Sequence, residues 1–141
     1  MSLITWKDEL HSVQHTTIDN QHKRLVEMVN ELNDAMSSRK GYDVTNAILQ
    51  KAVEYTVYHF KTEEDLMKEF SYPGMEEHKA EHQAFILKVT SLKLDFNQGV
   101  GTVPRELLGY LRDWLANHIT DTDKKLGLFL LGQGSDLTVQ K

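Results

Sequence analysis

The chain contains no cysteine. That absence removes disulfides, thiolate nucleophiles, iron–sulfur clusters and cysteine-ligated zinc, so any metal it holds is held by imidazole and carboxylate. A basic excess is missing too: 16 Lys and Arg against 21 Asp and Glu give a net charge of −5. The cations are scattered and form no stripe, which argues against nucleic acid as a partner. Long apolar runs are also absent. The N-terminus, Met1-Ser2-Leu3-Ile4-Thr5-Trp6-Lys7-Asp8-Glu9, turns charged before a signal peptide's apolar core could form, and nothing is long enough to cross a bilayer. The expectation is a cytoplasmic protein with no membrane partner, and 141 residues fit one domain spanning 1–141.

What the chain does have is apolar periodicity. Residues 1–18 carry Ile4, Trp6, Leu10 and Val13 without a sustained period and read as an arm packed on the body, with His11 and His15 exposed or at its rim. With Asp19 as N-cap, His22, Leu25, Val29, Leu32 and Met36 then recur at spacings of three and four. A second helix, from about Asp43 to Ser71, lines up Ile48, Ala52, Tyr55, His59, Glu63, Leu66 and Phe70. After Tyr72-Pro73-Gly74 reverses the chain, a third, from about Gly74 to Gln98, lines up Met75, His78, His82, Phe85, Val89, Leu92 and Phe96. Pro104 opens a fourth, with Leu107 or Leu108, Leu111, Leu115 and His118. The bundle covers about 19–123. A C-terminal segment, about 124–141, holds the apolar run Leu126–Leu131 and a polar tail from Gly132 expected to be loosely ordered. The fold class is all-α, an up-down-up-down four-helix bundle.

The chemistry lies on the inward stripes. His22, His59, His78, His82 and His118 come from four different helices, and Glu63 shares the stripe of His59. A single histidine on an apolar face is more often ordinary core. Five with a carboxylate are another matter, because unpaired buried imidazoles and carboxylates are costly, and a metal uses their lone pairs. Two first-row ions offer about a dozen coordination positions. Five imidazoles, two bridging carboxylates and one bridging oxygen leave one open for a small ligand. No Glu-x-x-His occurs, unlike the carboxylate-rich di-iron bundles. Neutral imidazoles supply little anionic charge for high-valent iron, which favours reversible dioxygen binding over O–O cleavage.

Ile18-Asp19-Asn20-Gln21-His22-Lys23-Arg24-Leu25, His59-Phe60-x-x-Glu63-Glu64, Tyr72-Pro73, His78-x-x-x-His82 and Trp114-Leu115-x-x-His118-Ile119-x-x-x-Asp123, in that order, resemble the hemerythrins, in particular their bacterial single-domain members. The resemblance covers nearly the whole chain. It implies two non-haem iron ions with an oxo or hydroxo bridge, one ion held by His78, His82 and His118 and the other by His22 and His59. Glu63 and Asp123 would bridge them, and dioxygen would bind at the iron with two histidines. Spacing strains one assignment: five residues after His118, Asp123 lies about 140° around a regular helix, whereas Asp121 lies about 60° away. The family pattern favours Asp123 and therefore predicts a distorted helix there, such as a π-bulge.

A dry pocket protects bound dioxygen. Leu115 is the first candidate for its wall, with Ile119 and Phe60 behind it, roles compatible with ordinary core packing. The expected function is dioxygen storage, transport or delivery, without enzymatic activity; a carrier is favoured over a sensor because the chain has no room for a signalling output domain, and no client protein is legible. Oxygen or redox sensing, nitric-oxide binding and peroxidase-like chemistry share the same ligand set. A distant alternative reads His78-Lys79-Ala80-Glu81-His82 as an inverted zinc-protease motif with Glu81 as general base, and leaves His22, His59, Glu63 and His118 unexplained.

Overall fold

The computed structural model describes residues 4–39 and 41–134. Its elements are α1 (Asp8–His11), α2 (Thr16–Ser37), α3 (Gly41–Glu69), α4 (Met75–Asn97), α5 (Val103–Trp114), a π-helical segment (Leu115–Asp123) and α6 (Lys124–Gly132). The last three form one continuous fourth helix. The end of the polar tail, 135–141, lies outside the described residues.

Two apolar clusters set the direction of each helix. The larger contains Leu25, Val29, Leu32, Ile48, Leu49, Phe85, Val89, Leu92, Leu107, Leu111 and Leu115, and the smaller contains Val13, Ile18, Met67, Leu126 and Leu130. Along α2 the order is Ile18, His22, Leu25, from small cluster to large. Along α3 it reverses: Leu49, His59, Met67. It reverses again in α4, where Met75 packs on the small cluster and Phe85 belongs to the large one, and once more from Leu111 through His118 to Leu126. Alternating order is the signature of antiparallel neighbours. The polar residues of each stripe therefore meet at one level, between two dry plugs.

The first helix starts three residues before the expected N-cap. His15 caps α2, its Nδ1 accepting from Ile18 N at 3.4 Å, and His15 is only 2% exposed, contrary to the expectation of a rim histidine. Asp19 sits inside the helix and is buried. Its carboxylate clamps the arm, accepting from the Ser12 hydroxyl (2.6 Å) and from Val13 N (2.9 Å). These polar side chains bond to the arm instead of facing water, a tertiary choice that local pattern does not encode. The arm is further pinned by the reciprocal pair between the Ile4 backbone and the Asn30 amide, both at 2.9 Å. Leu10, expected to pack on the body, is half-exposed.

The arm crosses α6 at Gly127, where a Cβ would overlap the carbonyl oxygen of Val13. Gly127→Ala is accordingly expected to destabilise the protein by about 1–3 kcal/mol, the usual cost of overpacking, read as a lower thermal midpoint. An unchanged midpoint would mean that the arm does not rest on α6.

Candidate metal centre

The structure brings all seven sequence-predicted ligands together. One donor atom from each of Glu63, His78, His82, His118 and Asp123 can be chosen so that all lie within 4.8 Å of one another, and the same holds for His22, His59, Glu63 and Asp123. The two carboxylates belong to both groups. Their oxygens divide accordingly. Glu63 Oε1 is 3.1 Å from His78 Nε2 and 2.9 Å from His82 Nε2, while its Oε2 is 3.4 Å from His59 Nε2 and 3.8 Å from His22 Nε2. Asp123 Oδ1 is 2.9 Å from both His78 Nε2 and His118 Nε2, and Oδ2 is 2.7 Å from His22 Nε2.

The π-helical segment explains Asp123. In a π-turn the i→i+5 hydrogen bond aligns residues five apart, so His118 and Asp123, its fifth successor, share a face. The distortion expected from the family pattern is present over Leu115–Asp123. Asp121, the choice favoured by regular spacing, points to solvent beside Lys125.

Glu63 Oε1 has hydrogen-bond geometry toward His78 Nε2 and His82 Nε2, but most of the other close contacts do not. His22 Nε2, His59 Nε2, His118 Nε2, Glu63 Oε2 and both Asp123 oxygens are buried without a hydrogen-bond partner, although several lie under 3 Å from one another. The atoms converge on shared points instead of aiming along N–H axes. Leaving buried polar atoms unsatisfied costs about 1–3 kcal/mol each, and a cation among them removes that cost. Nitrogen and oxygen donors without sulfur suit a first-row metal.

Protons compete for the same atoms. Burial works to lower the His78 and His118 pKa values, but the adjacent carboxylates of Asp123 and Glu63 outweigh it and push them up to about 9 and about 10. Burial alone would raise Glu63 and Asp123; the surrounding imidazoles win and hold both below the usual carboxylate range. His59 goes the other way: burial lowers it to about 4, against the pull of Glu63. In the metal-free protein, the stability from His78 and His118 is complete below about pH 6.5, their unfolded value, and is lost as pH rises through 9 to 10. His59 acts oppositely: it binds a proton more weakly when folded, so stability falls between its unfolded value near 6.5 and about 4. The metal-free melting temperature should therefore drop from pH 7 to 10. The metal-loaded protein should show no such drop, because coordination requires deprotonated imidazole. Circular dichroism melts at pH 7, 8, 9 and 10 check this, and a flat metal-free profile would contradict it.

Three imidazoles are oriented from behind by groups that sequence reasoning did not find. His59 Nδ1 donates to Gln21 Oε1 (2.6 Å), His82 Nδ1 to Glu64 Oε2 (3.1 Å) and His118 Nδ1 to Glu81 Oε1 (2.8 Å). Gln21 Nε2 donates in turn to Thr62 Oγ1, and the Thr122 hydroxyl donates to Glu81. Glu81 thus backs His118 and takes no place among the inward donors, so it does not stand where a general base for a zinc held by His78 and His82 would stand. Phe60 stacks on His82 with ring centroids 3.7 Å apart, and Trp114 stacks on His118 at 4.4 Å. Leu115 and Ile119 are buried and border a pocket of about 430 Å³ beneath the arm that opens to solvent, its wall including Lys7, His11 and Arg112 as well as Ile4 and Val26.

An antiparallel helical bundle with a buried imidazole and carboxylate cluster between two apolar plugs defines a metal-binding helical protein. The family model of the hemerythrin HHE cation-binding domain matches residues 14–129, and the chain belongs to the hemerythrin family. It is similar to the bacteriohemerythrin of Pseudomonas aeruginosa, 39% identical over 87% of this chain and 78% of that one. It also resembles that of Methylococcus capsulatus, 33% identical over 90% and 96%. Among solved structures, that of wild-type hemerythrin superposes with a TM-score of 0.83 at 32% identity, covering 92% of this chain and 98% of that one. Among the described residues no helix is long and apolar enough to cross a membrane.

Proposed function

We propose that the protein binds dioxygen reversibly at a non-haem di-iron centre, for oxygen storage, transport or delivery, and does not act as an enzyme. The observation that carries this reading is the division of Glu63 and Asp123, one oxygen of each toward the His78, His82, His118 group and the other toward His22 and His59. That division suits two carboxylates bridging two ions. When bound, the iron pair supplies the electrons that hold dioxygen and takes them back on release.

The chain's own residues do the rest. His78, His82 and His118 with the two carboxylates offer five donors to one ion, and His22 and His59 with the same carboxylates offer four to the other. At about six positions per ion, with one on each taken by the bridging oxygen that the resemblance implies, the spare place lies on the two-histidine side, the side the family resemblance assigns to dioxygen. Phe60, Leu115 and Ile119, each at most 4% exposed, are the apolar side chains assigned to the wall that keeps water from the centre, and Phe60 stacks on His82. A low supply of bulk protons at the site slows loss of reduced oxygen as peroxide.

Oxygen equilibrium titration with parallel measurement of the autoxidation rate tests the carrier reading. Saturable uptake, full release under vacuum, slow autoxidation and negligible turnover with peroxide are expected. Rapid irreversible oxidation in air, or sustained peroxide turnover, would sink it in favour of redox sensing or peroxidase-like chemistry at the same centre.

A further inference from the structure

Of the groups around the centre, the hydrogen-bond acceptors behind the imidazoles differ most between its two halves. His82 and His118, both in the three-histidine half, donate from Nδ1 to carboxylates, Glu64 and Glu81. In the two-histidine half, His59 donates to a neutral amide; each half also has one histidine, His22 or His78, whose Nδ1 is buried without a partner, so the contrast lies in the acceptors of the other three. The amide's orientation is fixed by its surroundings: its nitrogen donates to Thr62 Oγ1 at 3.1 Å, whose own hydroxyl donates to Tyr58 O at 3.1 Å, leaving Oε1 for His59. Glu81 is also held by Thr122, on the same π-helical segment as His118, with the Thr122 hydroxyl 2.8 and 2.9 Å from its two oxygens.

A carboxylate accepting the Nδ1 proton fixes the tautomer that leaves Nε2 free for a metal, and it makes that Nε2 more basic, whereas an amide fixes the tautomer with little electronic effect. The three-histidine half also has one more protein donor, as counted above. Both differences act in the same direction. From them we infer that the two halves bind metal unequally and in order: the three-histidine half fills first, and Glu81 and Glu64 are positioning residues that widen the gap. The two-histidine half fills second and releases first. The inference rests on the two-ion reading proposed above.

Glu81 and Glu64 are partly exposed, at 47% and 30%, so solvent screens their charge. The effect of each belongs at the low end of the ten- to hundredfold range typical for such outer partners, about tenfold in affinity.

Anaerobic calorimetric titration of the metal-free protein with ferrous ion tests the order. Two resolved events are expected, the first tighter by at least about tenfold. His22→Ala should abolish the second event and leave the first. Glu81→Gln, which keeps the acceptor oxygen and removes the charge, and Glu64→Gln should each weaken the first event about tenfold and leave the second within twofold. Thr122→Val keeps the carboxylate but frees it, and should weaken the first event by less than Glu81→Gln does. A purely structural role for Glu81 would weaken both events together. Two events of equal affinity, loss of the first event in His22→Ala, or an unchanged first event in Glu81→Gln overturns the inference and leaves the two-ion reading standing. Saturation at one ion per chain overturns the two-ion reading itself.

Discussion

Glu63→Ala abolishes uptake of both metal ions, whereas His22→Ala costs one. The expected contrast follows from where the oxygens point. Glu63 is fully buried on α3, one turn after His59, and faces four imidazoles. Removing it takes a donor from each half and leaves the inward nitrogens of His78 and His82 without their acceptor. Even without metal the loss is large, since breaking a buried ion pair by deleting one partner costs about 3–5 kcal/mol. Glu63→Gln separates the two effects: it preserves volume and one acceptor oxygen but cannot bridge two cations with anionic oxygens. It should fold better than the alanine variant and still fail to hold two ions. Iron per chain after anaerobic reconstitution and desalting reads the outcome. Retention of two ions by either variant would remove Glu63 from the bridge.

The second large effect is that of the metal on the fold. The cluster ties α2, α3, α4 and the π-helical segment together at the level between the two apolar plugs, through six donor residues fixed by helix geometry and one, Asp123, by the π distortion. A ligand present at a thousandfold over its Kd and bound only by the folded chain adds about 4 kcal/mol per site. For a domain of this size that is roughly 10 °C or more in melting temperature. Removing metal with a chelator should lower the thermal midpoint by at least that much, and stoichiometric ferrous ion should restore it. Equal midpoints with and without metal would mean that the seven residues are ordinary core.

Most of this arrangement was legible in the sequence because a helix with one buried face repeats every three to four residues. Whatever shares the stripe with Leu25, Ile48, Phe85 or Leu111 is forced inward with it. His22, His59, Glu63, His78, His82 and His118 were found that way. Asp123 was not: regular spacing pointed to Asp121, and only the family pattern chose the residue that the π-helical segment brings round. Gln21, Glu64, Glu81 and Thr122 were not read as the groups behind the imidazoles, for a different reason. Each lies on the flank of its own helix and gains its meaning from what a neighbouring helix places opposite, and periodicity along one helix carries no information about that. His15 and Asp19 were misread because their hydrogen bonds run to the arm, where no period exists. The α6 helix also carried no periodic signal, since Leu126 to Leu131 is apolar almost without interruption.

Two iron ions held between Glu63 and Asp123 and binding dioxygen reversibly would give the protein a distinctive optical signature. The most direct measurement is the iron content of the reconstituted protein together with its visible absorption as oxygen is admitted and removed. Two irons per chain, with absorption that appears under oxygen and disappears over repeated cycles of evacuation, is the predicted result. One zinc per chain, or a spectrum indifferent to oxygen, would contradict it.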